Sequence, residues 1–211
     1  KINPSKNINP GSIIYKESEE TTHFSIVDFE GNAASVTTTL NTNFGSKVFV
    51  DELGFLLNNQ MDDFSSKPGH PNTYGLIGSK ANSIEPEKRM LSSMTPTIVE
   101  KNDELFLVLG SPGGSTIITS VFQTILNVIL FKMDIQKSVD APRFHHQWLP
   151  DIIYLEKNSF LKNTIDSLKK IGHQITQRNA IGHVNAIHID GFIKTGADKR
   201  GSNSASILST K

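Results

Sequence analysis

The 211-residue sequence contains no cysteine, which excludes thiol nucleophiles, disulfides and thiolate-held metals. It has no surplus of either charge: 21 Lys and Arg balance 21 Asp and Glu. No global field therefore directs it to nucleic acid or to an anionic membrane. It also lacks an apolar run of the roughly 18–20 residues that a membrane span needs. The greasiest stretch, Ile117 to Phe131, is interrupted by Thr119, Ser120, Gln123, Thr124 and Asn127. Nor is there an internal repeat, a low-complexity tract or a leader-like opening, and the first residue is Lys1. What remains is a chain long enough to bury a real core.

Residues 1–20 are rich in Pro, Asn, Ser and charge and read as an extended tail or linker. At Thr21 the pattern changes to strand-like alternation. Thr22–Val27 and Ala33–Leu40 flank the turn Asp28-Phe29-Glu30-Gly31-Asn32, which predicts a hairpin with Phe24 and Ile26 on one face and Ser25 and Val27 on the other. From Asn41 to Glu87 the pattern is irregular, and Lys67 to Gly75 is dense in turn residues, as functional loops often are. Strands are predicted at Thr97–Glu100 and Leu105–Leu109. Ile117, Ile118, Val121, Phe122, Ile125, Leu126 and Ile129 recur at helical spacing. A second helix is predicted from Ser159 to Ile171, with Leu161, Ile165 and Leu168 inward and Gly172 as its stop. Further strands fall near Ile152–Leu155, Gln174–Thr176 and Asn185–Ile189, and Gly201–Lys211 reads as loose. This order suggests α+β, an antiparallel sheet with helices on its faces.

Several stretches carry chemistry. Thr21-Thr22 reads as a strand start, since β-branched residues favour strands. It has a second reading: a cut before Thr21 would give one residue a nucleophilic hydroxyl and an α-amine of pKa about 7.7–8.0. Gly110-Ser111-Pro112-Gly113-Gly114-Ser115 joins a strand to a helix start. It fits neither the P-loop nor the dinucleotide fingerprint. It is a plain turn or an oxyanion hole of glycine amides. Asn58-Asn59-Gln60-Met61-Asp62-Asp63 lacks calcium-loop spacing and is either a solvated turn or an anionic grip for an ammonium group. Ser92 and Ser93 have no nucleophile elbow around them, so their hydroxyls suit carboxylate binding. His145 and His146 have no HExxH or carboxylate spacing to support a metal and read as structural.

Six blocks in order make the chain similar to the γ-glutamyltranspeptidase family (glutathione hydrolases). They are Pro10-Gly to Tyr15-Lys-Glu-Ser with Thr21-Thr-His-Phe-Ser, Leu56-Leu-Asn-Asn-Gln-Met-Asp-Asp-Phe-Ser, Lys67-Pro-Gly, Leu91-Ser-Ser-Met-Thr-Pro-Thr-Ile-Val, Gly110-Ser-Pro-Gly-Gly-Ser, and Ala141-Pro-Arg-Phe-His-His-Gln-Trp-Leu-Pro. The resemblance implies an N-terminal-nucleophile hydrolase αββα sandwich, of which this chain supplies about half and a large subunit the rest. It implies a self-cleaving proenzyme cut between Glu20 and Thr21, with residues 1–20 as the large-subunit tail and 21–211 as the small catalytic subunit. Thr21 is then the nucleophile, Thr39 its supporting threonine, and Gly113 and Gly114 the oxyanion hole. Asn41, Gln60 and Asp63 match groups that hold the γ-glutamyl α-amino end, and Ser92 and Ser93 match those at its α-carboxylate. Tyr74 matches the gating aromatic of a lid spanning Lys67 to Ser79.

The activity implied is γ-glutamyl transfer from glutathione or related compounds to water, an amino acid or a peptide, without a cofactor or metal and in a periplasmic or secreted setting. The alternative is an uncleaved or isolated half that serves only as an assembly partner. The chain departs from the family pattern at Met90, at Thr116 and at Asp198-Lys199-Arg200, where Pro, Arg and Asp-Pro-Arg are usual.

Overall fold

The computed structural model describes residues 21–208; the expected tail 1–20 and the Glu20–Thr21 junction lie outside them. Strands β1 (Thr21–Val27) and β2 (Ala33–Thr39) form the predicted hairpin, in full register from Thr21 opposite Thr39 to Val27 opposite Ala33. Asp28 shapes its turn by accepting the backbone N–H groups of Glu30 and Asn32, a local bond that short carboxylates make readily. Two-residue strands β3 (Phe49–Val50) and β4 (Phe55–Leu56) pair within the irregular region, followed by a 3-10 turn at Gln60–Asp63.

β5 (Thr97–Lys101) and β6 (Glu104–Gly110) are joined by Asn102 and Asp103, both at positive φ, the geometry tight hairpins prefer. A 3-10 turn at Gly114–Thr116 leads into α1 (Ile117–Ile129), followed by α2 (Ile135–Asp140), which Asp134 caps by accepting Gln136 N–H. β7 (Phe144–His145) pairs antiparallel with β8 (Ile153–Glu156). β8 pairs parallel with β9 (Ile175–Arg178) across α3 (Lys162–Lys170). β10 (Asn185–Asp190) and β11 (Phe192–Ala197) close the chain as a hairpin.

The organising unit is the antiparallel sheet β11-β10-β6-β5. β6 is its centre, and Leu107, Val108 and Leu109 are completely buried. On one face α1 and α2 close a core of Phe106, Leu107, Leu109, Ile117, Val121, Val128, Ile135, Val139, Val184 and Ala186. On the other lies the β1–β2 hairpin, which packs on β5, β6 and β10. The result is helix, sheet and sheet in successive layers.

Alternation along the hairpin has an unusual sense. Its inward face is largely polar, with Thr21, His23, Ser25, Ser35, Thr37 and Thr39, whereas the large apolar residues Phe24, Ile26 and Val36 point away. Phe24 is 43% and Ile26 56% exposed. The polar face is satisfied by hydrogen bonds, as buried polar groups must be: Ser35 Oγ donates to Leu109 O and accepts from Thr97 N–H.

The helices refine the sequence pattern. Of the apolar residues at helical spacing on α1, Ile118 and Phe122 are 51% and 56% exposed, and the buried face is Ile117, Ser120, Val121, Thr124 and Val128. Ser120 and Thr124 tolerate burial because their hydroxyls donate to Ile181 O and Ser120 O. Leu161, expected inward, sits exposed at the N-cap of α3. Helix α2 and strands β7 and β11 were not predicted.

The Asp198-Lys199-Arg200 departure packs soundly. Arg143 and Asp198 form a buried pair at 2.7 Å, and Arg200 bridges Asp198 and Glu156. Burial acts to raise the Asp198 carboxyl, but Arg143 and the N–H groups of Arg200 and Val184 outweigh it and hold the carboxyl below its usual range. Lys199 itself, where Pro is usual, is 70% exposed. Among the described residues no helix is long and apolar enough to cross a membrane.

Candidate active site

A crevice of about 20 Å³ opens where β1 begins, lined by Thr21, Thr39, Asn41, Gln60, Asp63, Tyr74, Ser92, Ser93, Met94, Gly114 and Ile117. Every candidate matched in the sequence is in that wall except Gly113, which adjoins it through Gly114, and Glu20, which lies outside the described residues. The grouping draws on six separate stretches of chain.

Thr21 is 9% exposed. Its Oγ1 donates to Thr39 Oγ1 at 3.1 Å, across the closing rung of the hairpin. Thr39 Oγ1 in turn accepts Asn41 N–H at 2.9 Å, so the Thr21 hydroxyl is oriented by a second hydroxyl that is itself anchored. Asn41 is buried at a positive φ of 80°, a conformation asparagine tolerates better than most residues. Its side chain donates to Asn59 O, and its carbonyl accepts a short hydrogen bond from the Tyr74 hydroxyl.

Tyr74 reaches that carbonyl from the Lys67–Ser79 segment, and its ring lies over Gly114. A Cβ at Gly114 would meet Tyr74 Cε1 at 3.0 Å and would have to adopt a φ of 53°. Both facts call for glycine there. Gly113, at φ 133°, precedes it, and the pair opens the 3-10 turn before α1, where backbone N–H groups have no acceptor within the helix. Ser93 Oγ donates to Gly114 O at 3.2 Å, tying the serine pair to this turn, and Ser92 Oγ accepts Met94 N–H.

Asp63 ends the 3-10 turn with its carboxyl facing the crevice. Burial, helped by the adjacent charge of Asp62, pushes its pKa up to about 6. Among the described residues no ion pair neutralises it, so this half-buried carboxylate could accept a cation.

Sequence reasoning passed over two residues here. His23, two places along β1 from Thr21, is buried, and its ring nitrogens pair with Thr37 Oγ1 at 2.8 Å and Ser25 Oγ at 3.0 Å. Its ring packs so closely on Gly110 that a Cβ there would sit 2.3 Å away. Burial lowers its pKa to about 4, so the ring is neutral at neutral pH. Strand alternation from Thr21 was the available signal. Met94 was the other, and nothing in its local pattern marks it.

His145 and His146 are drawn into separate local bonds, His145 with Thr119 and Gln147, His146 with Asp151. Among the described residues no three His, Cys, Asp or Glu side chains are arranged to hold a metal ion.

The site's composition and layering have close counterparts. The family model described as gamma-glutamyltranspeptidase matches residues 1–208. The glutathione hydrolase proenzyme of Escherichia coli is 49% identical over 202 residues, covering 95% of this chain and 35% of that protein. The proenzyme of the same name from Pseudomonas aeruginosa is 48% identical over 204 residues, with 95% and 36% covered. The chain thus spans about a third of the length of these curated relatives.

Among solved structures, a mutant of Helicobacter pylori gamma-glutamyltranspeptidase superposes with a TM-score of 0.82 at 52% identity, covering 85% of this chain and all of that one. The Pseudomonas nitroreducens gamma-glutamyltranspeptidase complexed with L-DON gives 0.83 at 48%, with 89% and 100% covered. The fold is accordingly that of the N-terminal-nucleophile hydrolases, with helices on one side of two stacked sheets in this chain. On this evidence the chain belongs to the γ-glutamyltranspeptidase family.

Proposed function

We propose that this chain carries the catalytic half of a γ-glutamyl acyltransferase and hydrolase, made as a proenzyme that cuts itself between Glu20 and Thr21. The observation that carries the reading is the hydroxyl pair Thr21–Thr39 at the first residue of β1, inside a crevice that also gathers a carboxylate, two serines and a glycine turn. In the uncut chain the Thr21 hydroxyl attacks the Glu20 carbonyl and forms an ester as the peptide C–N bond breaks. Breaking that bond frees the Thr21 α-amine, which takes up the hydroxyl's proton, and water then hydrolyses the ester to release the Glu20 carboxylate and restore the Thr21 hydroxyl. Residues 1–20 become the tail of the large subunit, and 21–211 the small one.

The freed amine then serves as base for its own hydroxyl. Thr21 Oγ1 attacks the γ-carbonyl of glutathione or a related γ-glutamyl compound. N–H groups of Gly113 and Gly114 stabilise the oxyanion, a contribution worth about 10²–10³ in rate per donor. The amide C–N bond breaks, and the proton taken from Thr21 leaves with the departing amine. Water, an amino acid or a peptide amine then accepts the γ-glutamyl group and restores the hydroxyl. Asp63, with Asn41 and Gln60, holds the substrate ammonium, while Ser92 and Ser93 receive its α-carboxylate.

A crevice of about 20 Å³ has room for roughly one water molecule, so a donor enters only when Tyr74 and its segment swing away. Tyr74 therefore acts as gate. The outward apolar face of the hairpin, Phe24, Ile26 and Val36, is the surface a large subunit covers to complete the four-layer sandwich. A periplasmic or secreted setting suits such an enzyme. The competing reading, an inactive assembly partner, leaves the convergence of polar groups on Thr21 without a purpose.

The test is to produce the chain together with an upstream portion like that of its relatives and to follow p-nitroaniline release from a γ-glutamyl anilide. The reading requires turnover by the processed protein, with both processing and turnover lost in Thr21→Ala. Residual self-cleavage in that variant would refute the assignment.

A further inference from the structure

Two consecutive carboxylates of the Gln60–Asp63 turn face different ways. Asp63 faces the crevice, whereas Asp62 Oδ2 accepts Thr73 N–H at 3.0 Å. Asp62 also offers its backbone carbonyl to Asn72 Nδ2 at the longer distance of 3.5 Å. Asn72 organises the tip of the segment: its Oδ1 accepts the N–H groups of both Tyr74 and Leu76, and Pro71 bridges to Ile77. The tip is thus a small rigid hairpin, and Asp62 holds it immediately before the residue that gates the crevice.

Support on the other side is thin. Behind the same segment lies a cavity of about 530 Å³, bordered by Asp62, Asn72, Tyr74, Leu76, Gln147 and Trp148 among others. Apart from the buried Tyr74 ring, the tip borders open volume, so its position there depends on its specific bonds.

Resting on the γ-glutamyl reading above, we propose that Asp62 is a positioning residue, a latch through which the substrate-holding turn keeps the Tyr74 segment closed over the bound donor. Asp62 touches no reacting atom. It acts through Thr73 on Tyr74, and the Tyr74 hydroxyl completes the closure on Asn41 O. Because Asp62 and Asp63 share one turn, a donor ammonium that draws Asp63 inward also sets the position of the latch. Donor binding and gate closure become one event.

The experiment compares wild type, Asp62→Ala and Asp62→Asn in the full protein, with hydrogen exchange across residues 67–79 and steady-state kinetics on γ-glutamyl p-nitroanilide. A bond to a charged acceptor corresponds to about a tenfold change or more. Asp62→Ala is expected to raise exchange at residues 72–76 and the donor KM each by about tenfold, with kcat within about threefold. Asp62→Asn, which keeps an acceptor oxygen, is expected to stay close to wild type in both. Unchanged exchange at the tip in Asp62→Ala, exchange rising equally in β6, or a fall in kcat at constant KM overturns the latch. If wild type turns over no γ-glutamyl anilide, the functional reading fails, while the exchange comparison still decides the latch.

Discussion

Thr21 and Thr39 face each other across the last rung of a hairpin, with 3.1 Å between their hydroxyl oxygens, and Thr39 is itself fixed by the Asn41 amide. A threonine hydroxyl on a strand terminus could otherwise occupy more than one staggered rotamer. Here one neighbour chosen by strand register orients it. Replacing Thr39 by Val preserves shape and removes the acceptor, which costs about 1 kcal/mol for a typical hydrogen bond. Thr39→Val is expected to slow both self-cleavage and turnover by roughly fivefold, and Thr39→Ser to retain most of each. Gel-monitored processing and kcat/KM for the two variants check this.

Gly114 is constrained from two directions, by its φ of 53° and by the Tyr74 ring at 3.0 Å from where a Cβ would stand. Gly114→Ala is expected to displace its amide and lower kcat by about 10²-fold. Combining it with Tyr74→Ala removes the clash but not the backbone strain. The double variant should therefore recover thermal stability more than it recovers kcat.

The raised Asp63 pKa, about 6 from burial and then from Asp62, gives a pH signature. Below that value Asp63 is protonated and offers an ammonium no countercharge, so donor KM rises as pH falls through about 6. Bound donor stabilises the carboxylate, so the corresponding limb in kcat lies at lower pH than in kcat/KM. Asp63→Asn should raise KM above about pH 6, where wild type is charged, and flatten this limb. The stability effect has the opposite sense. The folded state holds the proton more tightly than the unfolded one, so ligand-free stability falls as pH rises from the ordinary carboxylate range to about 6 and is level above it. Denaturant titrations across that window, wild type against Asp63→Asn, test the sign.

Arg143 and Asp198 are both buried, at 1% exposure each. Arg143→Ala leaves a carboxylate with much of its compensation removed and is expected to cost about 3–5 kcal/mol. Lys199→Ala, on the exposed residue between Asp198 and Arg200, should lie within about 0.5 kcal/mol of wild type. Urea unfolding of the two variants measures the contrast.

Much of this architecture was legible in the sequence where a local rule and the tertiary setting agree. The β1–β2 hairpin follows from alternation with turn residues between, β5 and β6 from their short β-branched and apolar runs, and Gly172, at φ 102°, ends α3 as read. The reading faltered where packing overrides pattern. On α1 the apolar residues exceed what one face can bury, so periodicity alone could not tell that Ser120 and Thr124 lie inside while Ile118 and Phe122 lie outside. Helix α2 has only six residues and is specified by the Asp134 cap and by contact with β11, neither of which gives a periodic signal. The crevice was invisible to any local rule, because Thr39, Asp63, Tyr74 and Gly114 meet only in three dimensions. Its members were reached through family resemblance, while Asp62 emerges from a hydrogen bond that only the folded chain reveals.

The central claim is that Thr21, once its amine is free, carries the γ-glutamyl group. The most direct measurement is peptide mass mapping of the processed protein, quenched in acid during turnover of a γ-glutamyl donor. The account predicts a small fragment beginning at Thr21, with one added γ-glutamyl group on its first residue that disappears when donor is exhausted. An adduct on another side chain, or turnover by a chain still joined through Glu20–Thr21, would contradict it.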